Sequence, residues 1–221
     1  RYGKAPQRAA ERMLDEGTHS RSALRIQEEL DRYGSSLGVG GGKHGATVTL
    51  GSMARYLDES FEIMADVVLN PAFDETEFDR QRKQALDGLK RSRTDPGSVA
   101  NTVFMKMLSG ADHPLGRNSD GTEASLAELT PADLRETWDK FWRPDNASLL
   151  FVGDITLDQA AALAGRHFGE WKRADLPDRK LPKQKMITGR TVYLVDRQGA
   201  PQSEIRIGGL APVRQDKEYY S

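Results

Sequence analysis

Four histidines and no cysteine limit the chemistry open to this chain of 221 residues. His19, His44, His113 and His167 lie far apart, and none stands four residues from another or beside a pair of carboxylates. A single helix face therefore offers no local histidine pair to grip a metal. His113 precedes Pro114 and reads as a loop residue holding a turn. His44 falls in a glycine-rich stretch, and His167 falls near the end of a helix, where a partly charged imidazole suits the dipole. The absence of cysteine excludes disulfides, thiolate metal sites and Cys nucleophiles together. Gly40-Gly41-Gly42-Lys43-His44-Gly45 satisfies G-x-G-x-x-G by letter, but it precedes a strand instead of following one and opening a helix. The helix N-terminus that would hold a phosphate is missing, so the segment reads as a strand-connecting loop. Gly42-Lys43 makes no P-loop either, because Leu37 stands where the first glycine belongs and His44 follows the lysine. Arg80, Arg82, Lys83, Lys90, Arg91 and Arg93, interleaved with Asp79 and Asp87, read as a solvated or interdomain helix face. Trp138, Phe141 and Trp142 read as core.

The composition agrees with a structural frame around little local chemistry. Hydrophobic residues make up 37% and charged residues 29%, the balance of a globular chain with a real core. The 32 Lys and Arg nearly match the 33 Asp and Glu, which argues against a nucleic-acid binder with its basic excess. No apolar run approaches the roughly 18 residues that a membrane span needs. The opening at Arg1 without a leader and the stop at Ser221 lead us to expect an excerpt of a longer polypeptide.

Helices dominate the pattern. Pro6 opens one that runs to about Glu16, and Ser20 or Ser22 caps a second carrying Ala23, Ile26, Leu30 and Tyr33. Gly38 to Gly45 is a glycine-rich stretch before a strand, Ala46 to Leu50, that makes half of a hairpin. Leu57, Phe61, Met64 and Val68 share one helix face. Asp74 and Glu77 form a capping box for a long helix reaching about Arg93. Ala100, Val103, Phe104, Met107 and Leu108 give the next helix a core face, and Thr130-Pro131 opens one carrying Leu134, Trp138, Phe141 and Trp142. Ala147 to Val152 reads as a buried strand, and Leu157, Ala161, Ala164 and Phe168 as the inner face of a further helix. Lys172 to Lys185 turns to Pro, Lys, Arg and Asp, the composition of a surface linker. Strand-like segments begin afresh at Thr191 to Val195 and Glu204 to Ile207.

Ordered along this frame are Met13-Leu14-Asp15-Glu16-Gly17-Thr18, Leu69-Asn70-Pro71-Ala72-Phe73, His113-Pro114-Leu115-Gly116, Arg143-Pro144-Asp145-Asn146, Val152-Gly153-Asp154 and Asp196 to Arg206. In order and spacing the set resembles the pitrilysin/insulinase-type metallopeptidases, the inverzincins, over nearly the whole chain. The likeness is strongest to the zinc-free, inactive half formed by the C-terminal part of long bacterial members. Active members carry H-x-x-E-H on the helix before the Gly-Thr pair. Counted back from Gly17-Thr18, that motif falls on Arg8-Ala9-Ala10-Glu11-Arg12. A guanidinium has no lone pair to give a metal and repels one by its charge. The family's third ligand, a Glu on the long downstream helix, falls near Gly88, and Asp87 beside it points about 100° away. Glu11 keeps the general-base position but has no metal-bound water to activate, so an ion pair with Arg8 or Arg12, or a solvated face, is its expected role.

The resemblance implies an α+β fold: a mostly antiparallel sheet with helices packed on one face, the LuxS/mitochondrial-processing-peptidase arrangement, repeated in tandem. The first strands of repeat one would be missing. Residues 1–171 form a non-catalytic peptidase-like repeat, 172–189 a linker, and 190–221 the opening strands of a second repeat. The implied function is non-catalytic: helping to form the chamber that binds and positions peptides for proteolysis by a zinc-bearing half. The chain itself holds no catalytic or metal-binding residues and no cofactor. The zinc would sit in a partner half of the same polypeptide or another subunit, with peptides as substrates and no nucleic acid or membrane span. An Arg and a Tyr that grip substrate would lie beyond Ser221. The resemblance favours a bacterial periplasmic setting. Two rivals stand beside this reading: an assembly homologue without a peptidase role, and an active zinc peptidase with other ligands.

Overall fold

Apolar residues at helical spacing, punctuated by Gly and Pro, produce a helix-rich chain with one small sheet among the described residues. The computed structural model describes residues 5–42, 45–178, 182, 189–211 and 214–217. The elements run α1 (Ala5–Met13), α2 (Ala23–Arg32), β1 (Ser36–Gly41), β2 (Ala46–Gly51), α3 (Leu57–Leu69), α4 (Glu75–Thr94), α5 (Pro96–Ser109), α6 (Glu123–Ala127), α7 (Pro131–Phe141) and α8 (Leu157–Phe168). Two compact units divide them. One combines the chain up to Leu86 with Ser119–Asp178, and the other combines Asp87–Asn118 with the chain from Arg179 onward.

In the first unit, β1 and β2 pair antiparallel, Ser36 opposite Gly51 through Gly41 opposite Ala46. Leu37, Val48 and Leu50 turn one face of this hairpin onto Phe61 and Met64 of α3 and Leu163 of α8. Phe151 stacks on Phe61 at 5.6 Å between ring centroids, and Phe168 meets the same ring edge-on at 5.6 Å. The caps explain where the helices start. The Ser22 hydroxyl accepts from Arg25 N, and Thr130 and Thr156 form reciprocal boxes with Asp133 and Gln159. Asp74 Oδ1 accepts from Thr76 N at 2.8 Å and Glu77 N at 3.1 Å, but Glu77 turns away to Arg80, so only half of the expected box forms.

Several expectations need correction. Helix α1 ends at Met13, three residues early, because Gly17 with φ 134 already belongs to the following turn. Gly40 and Gly41, the first residues of the expected strand-connecting loop, instead close strand β1; glycine carries no β-propensity signal. Ala147 to Val152 is not a buried strand. No backbone hydrogen bond joins Ser148–Val152 to another segment among the described residues. Leu150 and Val152 are 85% and 90% exposed while Phe151 packs inward, the alternation of a strand without neighbours. On α8 the buried residues are Ala160 and Leu163, with Phe168 packing on Phe61 as expected, while Leu157 is exposed.

In the second unit, Asp95 caps α5 by accepting from Ser98 N at 2.7 Å. The expected core face of α5 is only half buried, with Met107 exposed. Phe104 instead lies close over Gly208, where a Cβ would come within 2.8 Å of the ring. Thr191–Val195 and Glu204–Ile207 form no ladder with each other, and Val192, Leu194, Ile205 and Ile207 are exposed.

Candidate functional site

Helix α1 buries its inner face, including Ala10 and Met13, and carries Arg8, Glu11 and Arg12 on neighbouring turns. Glu11 does not face solvent: it is 2% exposed, sealed under the end of β1. A Cβ on Gly41 would stand 1.8 Å from Glu11 Oε2, so glycine is what lets the strand pass over this carboxylate. Arg8 Nη1 donates to the Gly41 carbonyl at 2.5 Å and lies 3.4 Å from Glu11 Oε2. The ion pair expected of Glu11 is therefore present, with Arg8 as its partner; the solvated alternative is not. Burial pushes the Glu11 carboxyl above its ordinary range, and the hydrogen bond from Arg8 with the charges of Arg8 and Arg12 offsets part of that rise. Arg12 Nη2 donates to Asp120 Oδ1 at 2.7 Å, and Arg8 Nε stands 3.8 Å from the same oxygen. The positions that would hold metal ligands thus hold two guanidinium groups, engaged by two carboxylates and a carbonyl.

This donor set does not fit zinc. Two of the three expected positions offer cations and the third, Gly88, offers no side chain. Asp87 stands 3.7 Å from Lys90, an ordinary exposed pair. No group of three or more His, Cys, Asp or Glu side chains gathers among the described residues. His113 caps the short turn Pro114–Gly116, its Nδ1 accepting from Leu115 N at 3.1 Å. His167 packs against Phe61 and lies 3.1 Å from Asp58 Oδ1; His19 is exposed, and His44 lies outside the described residues. Trp138 donates through Nε1 to the Val68 carbonyl at 3.0 Å, a packing role.

Behind α1, two of the quoted segments meet. Thr18 bridges to Pro71, His19 N donates to the Asn70 carbonyl at 3.1 Å, and Ala72 N donates to the Gly17 carbonyl at 3.0 Å. Arg135 closes the seam, donating to the Pro71 and Ala72 carbonyls and stacking over Phe73, whose φ of 51 is rare outside glycine. Beside it, Arg21 gathers Glu29, Glu62 and Asp66 at 2.8 to 2.9 Å. Sequence reasoning missed Asp120, Arg21 and Arg135. Arg21 to Glu29 spans eight residues and Arg12 to Asp120 spans 108, beyond any helical spacing rule.

Residues 9–117 match the family model described as Insulinase (Peptidase family M16), and residues 128–221 the one described as Peptidase M16 inactive domain. An uncharacterized zinc protease of Mycobacterium leprae is 26% identical over 207 residues, covering 92% of this chain and 46% of its own length. The solved peptidase M16 inactive domain from Pseudomonas fluorescens superposes with a TM-score of 0.77 at 24% identity, over 83% of this chain and 46% of that one. The periplasmic protease PqqL from Escherichia coli gives 0.72 at 20% identity, over 83% and 21%. These superpositions establish the fold. The chain belongs to the M16 insulinase/pitrilysin peptidase family, on the side of its inactive domains. It spans less than half the length of the Mycobacterium leprae relative.

Proposed function

We propose that this chain is the non-catalytic half of a two-half M16 peptidase, enlarging the chamber that holds an extended peptide while a zinc-bearing half cleaves it. The observation that carries this reading is the arginine pair at the ligand positions, locked to Glu11, Gly41 and Asp120. A helix committed to that cluster can shape and charge a cavity wall; it cannot generate a metal-bound nucleophile. The relatives' names as zinc proteases, and their greater length, support a second half in the same polypeptide or a partner. The tandem arrangement belongs to the same proposal: residues 1–171 as one repeat, 172–189 as linker and 190–221 as the opening of another. The unpaired backbone of Ser148–Val152 and the exposed Leu150 and Val152 supply an edge that further strands of the whole protein can cover.

The test is a fluorogenic peptide assay on this chain, on a half bearing H-x-x-E-H, and on their mixture. Activity is expected only in the mixture, and Glu11→Gln should leave it essentially unchanged, because positioning alone breaks no bond. The corresponding Glu→Gln change in the zinc-bearing half should abolish it. Chelator-sensitive cleavage by this chain alone, or loss of the mixture's activity in Glu11→Gln, overturns the reading.

A further inference from the structure

Where α2 ends and the chain turns into α3, two tyrosines, a methionine and an arginine share one patch on the surface of the first unit. Tyr33 caps α2, and Tyr56 closes the short turn Ala54–Tyr56 before α3. Their rings meet at 5.4 Å between centroids, tilted by 41°. Arg55 lays its guanidinium over the Tyr56 ring at 4.8 Å and donates to Met53 Sδ at 3.7 Å. Met53 is 42% exposed, and its Cε lies 3.1 Å from where a Cβ on Gly34 would stand, which joins the turn to the end of α2. Arg55 is exposed and makes no ion pair among the described residues. Glu59, in the first turn of α3, is exposed and equally without an ion pair among the described residues. By contrast, the exposed Arg25, Arg80 and Arg166 each meet a carboxylate of their own chain.

We propose that this patch is a docking surface for a second copy of the chain, the two copies meeting about a two-fold axis with Arg55 of each opposite Glu59 of the other. The composition fits an interface centre, since Tyr, Met and Arg are the side chains enriched there, and the thioether adapts its shape to what it meets. Tyr56 and Met53 already hold the Arg55 guanidinium in place, so docking costs it little further rotamer freedom. The charges choose the occupant. Arg55 and Glu59 stand four positions apart, one free cation and one free anion on either side of Tyr56. A purely acidic partner would answer Arg55 and repel Glu59, whereas a second copy answers both, because a two-fold axis forms the two pairs together. A patch built on so few side chains belongs to the weak, reversible class of interfaces that bury less than about 1,200 Å². The inference is independent of the peptidase-half reading.

The experiment is sedimentation equilibrium on the full chain at low salt, over a series from low to high micromolar protein. A reversible monomer–dimer equilibrium is expected, weakening as salt is raised. Arg55→Glu and Glu59→Arg each set like charges against each other at both symmetric contacts, so each alone should weaken the dimer at least about tenfold. Two combinations restore opposite charges at both contacts: the equimolar mixture of the two single variants, and the double variant carrying both changes. Both should dimerise again as the parent chain does, with far-UV circular dichroism showing every variant folded. Leu150→Asp, on the unpaired Ser148–Val152 segment, should leave the dimer unchanged. A chain that stays monomeric throughout the series overturns the proposal. So does a dimer indifferent to the two single changes, a dimer lost in Leu150→Asp, or failure of the mixture and the double variant to restore it.

Discussion

Gly41→Ala tests whether the buried carboxylate under β1 is structurally fixed. Gly41 closes β1 opposite Ala46, with a backbone that any residue could adopt, so the substitution carries no conformational strain of its own. The methyl group would stand 1.8 Å from Glu11 Oε2 and 2.4 Å from Glu11 Cδ. Glu11 is buried, and its cation Arg8 is itself tied to the Gly41 carbonyl, so the carboxylate cannot step aside without parting from Arg8. Overpacking costs about 1–3 kcal/mol. Parting a buried carboxylate from its donor adds about 1–3 kcal/mol. A total near ~3 kcal/mol, at roughly 2–4 °C per kcal/mol for a chain of this size, lowers Tm by about 6–12 °C. Urea unfolding followed by circular dichroism measures the change for Gly41→Ala, Glu11→Ala and the double variant. With Glu11 truncated, the added methyl should cost less than about 1 kcal/mol, leaving a coupling near ~2 kcal/mol. A Gly41→Ala cost that is the same in both backgrounds refutes the contact. The pH dependence adds a second check. The folded-state pKa of Glu11 is raised, so its contribution is full below the ordinary 4.5 and is lost as pH rises through the folded value. Glu11→Gln should remove that loss.

Three further outcomes are expected. Leu134→Ala, at a fully buried site, should cost about 2–5 kcal/mol, whereas Leu157→Ala at an exposed site on α8 should stay within about 0.5 kcal/mol, both read from urea midpoints. Arg21→Gln removes the cation shared by Glu29, Glu62 and Asp66 and should cost about 1–3 kcal/mol. Burial raises the Asp66 carboxyl, but hydrogen bonds from Thr18, Asn70, Ser20 and Arg21 outweigh it and hold the pKa below 3.8. That stabilisation is present above 3.8 and lost as pH falls through the folded value, so Arg21→Gln should start its acid unfolding at a higher pH. Limited trypsin digestion should cut first around Arg179 to Lys185, seen by mass spectrometry, where the sequence turns to Pro, Lys and Arg.

Helices with strong apolar periodicity and explicit caps were legible in the sequence. Ile26 and Leu30 on α2, Phe61, Met64 and Val68 on α3, and Leu134 on α7 are all buried as their spacing requires. Ser22 and Thr130 start their helices because their hydroxyls satisfy the first free N–H groups, a rule that acts within four residues. Two kinds of feature escaped. One is whatever depends on a neighbour distant in the chain: an apolar run such as Leu149 to Val152 has the composition of a buried strand, yet burial requires partners that no local pattern supplies. The other is the exact face of a mixed helix. In α8, Leu157 and Leu163 differ by six residues and so by well over a helical turn, and only packing on Phe61 and Met64 decides that Leu163 is the inner one. At the site, the two arginines of α1 were readable in the sequence, but the partner that engages Arg12, 108 residues away, was not.

The arginine pair also explains how a carboxylate at position 11 is accommodated. A carboxylate with 2% exposure needs a compensating positive charge nearby, since its desolvation is otherwise uncompensated. In an H-x-x-E-H helix the doubly charged metal can supply it. Here Arg8 and Arg12 place two positive charges on the flanking positions, three residues before Glu11 and one after it. Arg8 answers Glu11 directly, and Arg12 answers Asp120. The cluster is thus close to neutral, two cations against two carboxylates, without any metal. This makes a single arginine-to-histidine change unproductive. Arg12→His alone would weaken the hold on Asp120 and remove part of the field that favours ionised Glu11, while supplying one of the two imidazoles a metal site on this helix needs. Arg8→His alone would release the Gly41 carbonyl as well as Glu11. Glu11 is therefore held by packing under Gly41 together with charge balance from Arg8.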